Sequence, residues 1–109
     1  MSPARTTEFR QWLKNTDNRS NKQTTDYVSR IRRIEIALSK AQGYEFDIEN
    51  EYNKDKCSFL SKALKHRGLN EEIKSYGDVQ LPFGSITMLS LAVALRKYLL
   101  FRASLQSNR

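Results

Sequence analysis

The sequence predicts an all-α protein, a small bundle of four main helices with a long loop before the last. Three observations predict it. Apolar residues recur at three- and four-residue steps in four separate segments, and no segment alternates with a period of two for long enough to make a strand. Glycines and polar turn-forming runs separate the segments. A chain of 109 residues suits one core and not two, so a single helical domain over 1–109 is expected, ragged at about 1–5 and 106–109.

The first helix is expected from a cap at Thr6 or Thr7 through Lys14, with Glu8 in its first turn, where the helix dipole favours a negative charge. Phe9, Trp12 and Leu13 form its apolar triplet, and Arg5, Arg10 and Lys14 lie off that face. Trp12 therefore reads as core and not as a base-stacking platform. The polar run NTDNRSN at 15–21 is a loop, with Asn21, Thr24 or Thr25 available to cap the second helix. Next to a helix N-terminus, its Arg19 and small polar side chains suit a phosphate.

The second helix, 24–42, is the best defined. At about 100° per residue, Tyr27, Ile31, Ile34, Leu38 and Ala41 fall on one stripe. Arg30 and Arg33 are expected along one edge of it with Lys22 and Lys40, and Arg32 on the far side. Gly43 suits a left-handed stop. Residues 44–53 read as an acidic connector with at most one helical turn, anchored by Phe46 and Ile48.

A third helix is expected over 55–66, burying Cys57, Leu60, Ala63 and Leu64, with Gly68 ending it. A weak helical turn begins at Asn70. SYGDVQLPFG at 75–84 is the longest irregular stretch, and Ser85 then caps a last helix reaching about Leu105. In that helix Ile86, Leu89, Val93 and Leu100 on one side and Leu91, Leu95, Tyr98 and Leu99 on the other cover nearly the whole circumference, so it is expected at the hydrophobic centre.

Nineteen Lys and Arg against twelve Asp and Glu give +7 and a pI near 9.8, which favours an anionic partner. The signs are segregated. Residues 1–43 carry nine basic and four acidic groups, 44–85 six and eight, and 86–109 four and none. Cys57 and His66 are the only residues of their kinds and have no ligand spacing around them, so no metal, cofactor or disulfide is expected. Asp47, Glu49, Glu51 and Asp55 lack the spacing and glycine of a calcium loop. The apolar run from Ile86 is interrupted by Arg96 and Lys97 and is short for a membrane span. Together with the lack of a signal-like segment, this points to the cytoplasm.

No nucleophile, acid–base pair or phosphate loop stands out, so the expected function is binding and not catalysis. Arg19, Lys22, Arg30, Arg33 and Lys40 are the candidate phosphate contacts, with Arg96, Lys97 and Arg102 as a second cluster. The alternative is docking on a protein partner through the loop at 76–83, where Tyr76, Val79, Leu81 and Phe83 offer an apolar patch.

The segments EFRQWL, TTDYVSRIRRIEIAL, FLSKAL and VALRKYLLF, spanning Glu8 to Phe101, together resemble the N-terminal core-binding domain of tyrosine recombinases, the phage integrases. The resemblance implies a SAM-like bundle that clamps DNA with basic residues of its second and last helices. By position these are Lys22, Arg30, Arg33, Arg96 and Lys97. The family's catalytic domain, with its arginines, histidines and nucleophilic tyrosine, has no counterpart in these 109 residues, so the resemblance implies no strand cleavage. The initial Met1 favours a free-standing small protein using the same fold over an excised fragment.

Overall fold

The computed structural model describes residues 1–107, apart from the side chain of Ser107. Among the described residues five α-helices follow one another: α1 Pro3–Asn15, α2 Asn21–Gln42, α3 Ile48–Asp55, α4 Ser58–Ala63 and α5 Ile86–Ser107. Two 3₁₀ turns, Lys65–Gly68 and Glu72–Tyr76, lie between α4 and α5, and no strand occurs among the described residues. An all-α bundle is therefore correct, with one more helix than expected. No described helix is long and apolar enough to cross a membrane.

The two 22-residue helices, α2 and α5, form the frame. At 1.5 Å per residue each is about 33 Å long, close to the longest dimension of the molecule, 36 Å. Ile31, Ile34 and Leu38 of α2 and Met88, Leu91 and Ala94 of α5 are fully buried. Across them α1 inserts Phe9 and Leu13, and the Phe9 ring lies 5.2 Å from that of Phe101 and 5.8 Å, edge-on, from that of Tyr98. Burying each such side chain contributes about 1.5–3 kcal/mol. Trp12 is half-buried against the same rings, as its place in the triplet requires.

α1 begins earlier than the expected cap, at Pro3. Ser2 caps α1 by accepting from the Arg5 amide, with Pro3 in the first turn, while the Thr6 and Thr7 hydroxyls donate back to the carbonyls of Ser2 and Pro3. The first turn thus contains no acid. The Met1 ammonium lies 2.5 Å from Glu35 Oε2 and 3.2 Å from Asp47 Oδ1. At the other end, residues 106 and 107 continue α5, and 108–109, also expected to be ragged, lie outside the described residues.

Ser20 starts α2, in place of the three expected caps. Its hydroxyl accepts from the Gln23 amide while the Gln23 side chain accepts from the Ser20 amide. Gly43, at φ 80°, stops the helix as expected.

The acidic connector contains two full turns, α3, capped by Asp47 on the Glu49 amide. The single helix expected over 55–66 is interrupted because Lys56 and Cys57 both have left-handed backbone, at φ 57° and 60°. Asp55 sets the restart: its side chain accepts from the Phe59 amide and its carbonyl from the Ser58 hydroxyl. After α4 the chain turns through His66, Arg67 and Gly68, all at positive φ. Asn70 holds that turn, its side-chain NH₂ donating to the carbonyls of Lys62, Ala63 and Lys65 at 2.9–3.1 Å.

The irregular stretch before α5 is packed inward. Tyr76 and Val79 are buried and Leu81 and Phe83 half-buried, so the exposed apolar patch expected at 76–83 is largely turned inward, with Val79 and Phe83 left lining a groove beside Leu69. Gly77 is needed there for two reasons. Its φ of 105° disfavours any side chain, and a Cβ would stand 2.6 Å from the Ala41 carbonyl oxygen at the end of α2. Ser85, the expected cap of α5, donates its hydroxyl to the Pro82 carbonyl at 2.6 Å.

Candidate nucleic-acid interface

The acids around α3 are engaged within the fold, whereas Glu45, Glu71 and Asp78 are exposed and Glu45 shares a shallow groove with Arg32 and Lys40. Glu49, on α3, receives Arg5 Nε at 2.8 Å and Arg102 Nη1 at 3.1 Å, and Tyr98 donates its hydroxyl to the other carboxylate oxygen. Arg102 also donates to the Tyr98 oxygen at 3.0 Å and stacks over Tyr52, its guanidinium 4.3 Å from the ring centroid. Arg102 therefore belongs to the interior and not to a surface cluster with Arg96 and Lys97. Burial alone would lower its pKa, but the Tyr98 hydrogen bond and the Glu49 charge outweigh that and raise it. Burial first, then Glu49, pushes the Tyr98 phenol well above its ordinary value. Glu35 and Asp47 hold the Met1 ammonium, and Glu51 accepts from the Tyr76 hydroxyl at 3.2 Å.

With those carboxylates engaged, the cations of α2 face solvent. Lys22, Arg33 and Lys40 are exposed, and their steps of eleven and seven residues keep them within roughly 20° of one another around the axis. They form a row about 27 Å long on the back of the helix, opposite the core. The edge position expected for them fits Arg30 alone, which is half-buried with its guanidinium 5.7 Å from the Tyr27 ring centroid. Arg32, on the other flank, is exposed as well. Among the described residues no carboxylate lies within ion-pair distance of Arg30, Arg32, Arg33 or Lys40. Lys22 meets Asp26 at 3.3 Å, an exposed i,i+4 pair worth little in water.

The remaining candidates lie apart from this row. Arg19 and Lys97 converge on one carboxylate, Asp17, at 2.9 and 3.0 Å, just ahead of α2. Arg96 turns the other way and lines a shallow groove of about 160 Å³ with Ser61, Leu64 and Lys65. The α2 N-terminus is a poorer phosphate cradle than the sequence suggests, because the Ser20–Gln23 capping box already uses two of its amides.

Arg10 is a cation that sequence reasoning had no ground to choose. From α1 it donates to Thr25 Oγ1 at 3.4 Å, which brings its charge to the exposed side of α2. Its only signal was its position off the apolar face of α1.

The chain matches no protein-family model, no curated protein and no solved structure. The resemblance to recombinase core-binding domains thus rests on the packing pattern alone.

Proposed function

We propose that this protein is a non-catalytic DNA-binding module that grips the phosphate backbone with the outer face of α2. One observation carries the proposal: among the described residues no carboxylate comes within ion-pair distance of Arg30, Arg32, Arg33 or Lys40, while Glu35, Glu49 and Glu51 are engaged inside the fold. Lys22 extends the row, and Arg10 adds to it from α1. Such contacts position a protein on nucleic acid without reading its sequence. Recognition of this kind is mainly electrostatic and depends strongly on salt.

Titration of a labelled duplex at two salt concentrations tests this. With about four phosphates engaged, log affinity falls against log salt with a slope of roughly −3 to −4. Replacing Arg30 and Arg33 together by Glu abolishes binding while the circular dichroism of the protein is unchanged. Undiminished affinity in that double variant would remove α2 as the interface.

A further inference from the structure

Outside α2, the surface that departs furthest from an ordinary solvated face is the outer side of α5. The inner side of this helix is complete: Met88, Leu91, Ala94, Leu95, Tyr98 and Phe101 are each at most 2% exposed. Its outer side is also apolar, yet nothing among the described residues covers it. Ile86, Leu89, Val93 and Leu100 are 72, 44, 41 and 52% exposed. A single exposed leucine is ordinary, but four apolar side chains in register on one helix are not. Helices that are apolar all round belong in interiors, and α5 is enclosed on one side only.

The spacing defines the missing cover. Steps of three, four and seven residues from Ile86 to Leu100 follow the a and d positions of a heptad, the pattern by which one helix packs along another. The stripe is about 21 Å long, four turns. The same pattern places Arg96 between Val93 and Leu100, exposed and with no carboxylate in ion-pair reach among the described residues. Lys65 lies across the adjoining groove, and α5 contains no Asp or Glu. A second copy is therefore a poor match. Parallel pairing sets Arg96 against Arg96, and antiparallel pairing centred on the stripe leaves the two arginines six residues, about 9 Å, apart along the axis, with no acid in either helix to neutralise them. A lipid surface likewise offers no carboxylate at the depth of Val93.

We propose that the outer face of α5 docks an amphipathic helix of another protein, one that fills the Ile86–Leu89–Val93–Leu100 stripe and sets an Asp or Glu against Arg96. The apolar row supplies affinity, and the charge selects the partner.

Two synthetic 21-residue helical peptides with a leucine seam, identical except for Glu or Lys at the central seam position, test this by fluorescence anisotropy against the full chain. The Glu peptide binds at least tenfold more tightly than the Lys peptide, and R96E inverts the order. V93D removes binding of both while the thermal melt stays in place, because the position is exposed. Failure of both peptides to bind, equal binding by the wild type, or an order that R96E leaves unchanged overturns the proposal. Sedimentation showing a dimer that V93D dissolves overturns it in favour of a second copy, and binding to anionic phosphatidylserine vesicles that V93D abolishes overturns it in favour of a membrane.

Discussion

Glu49 is the residue on which most polar contacts converge, since Arg5, Arg102 and Tyr98 all reach it across at least forty-four positions of sequence. Replacing it by Gln leaves two guanidinium groups beside a half-buried amide, a loss of about 3 kcal/mol that a urea titration would register. Nothing in the sequence marked this. Arg102 follows Arg96 and Lys97 and reads as surface charge until its distant partner is known. Cys57, by contrast, was legible as core. Burial, helped by the Glu51 and Asp55 charges, pushes its thiol up to about 12 from an ordinary 9.0. Folded protein at pH 8 should accordingly resist iodoacetamide and become reactive only in denaturant. The folded pKa is the raised one, so this stabilisation is complete below pH 9 and is lost as the pH climbs toward 12. Tyr76 and Tyr98, raised in the same direction chiefly by burial, add to the alkaline loss. Urea midpoints should be flat to about pH 8, where loss of the proton from the raised Met1 ammonium begins the decline, and should fall further above pH 9, with C57A flattening that second part.

Periodicity revealed the helices with long apolar stripes. α1, α2 and α5 each repeat their apolar residues often enough to be unmistakable, and Gly43 punctuates α2 at the expected place. α3 was hidden because it buries only Ile48 and Tyr52, one turn apart amid acids and polar residues. The boundary between α3 and α4 was hidden for another reason: left-handed backbone usually signals itself by glycine, and here it falls on Lys56 and Cys57. Lys56 is exposed, so K56G relieves the conformation without opening the core and should raise stability by about 1 kcal/mol, whereas K56V should lower it. Thermal melts of the two variants on either side of the wild type would confirm that strain.

The largest charge groups are sorted by depth: carboxylates around α3 are drawn inward, some with Arg5 and Arg102, while the guanidinium and ammonium groups of α2 face outward. The +7 total was plain in the sequence, and so were the identities of Arg30 and Arg33. Their arrangement was not, because it depends on which carboxylates the fold has already claimed. Asp17 shows this best, since it joins Arg19 to Lys97, eighty residues away. D17N releases both cations at the N-terminal end of α2, so duplex DNA should bind several-fold more tightly and the salt slope should steepen by about one. Asn70 has a chemical consequence of its own. Its NH₂ faces three carbonyl oxygens, so hydrolysis of that amide during ageing replaces a donor with an anion aimed at three acceptors. One lost ammonia would convert the clasp below α4 into a wedge, and an increase of one mass unit would mark the molecules in which the turn has sprung open.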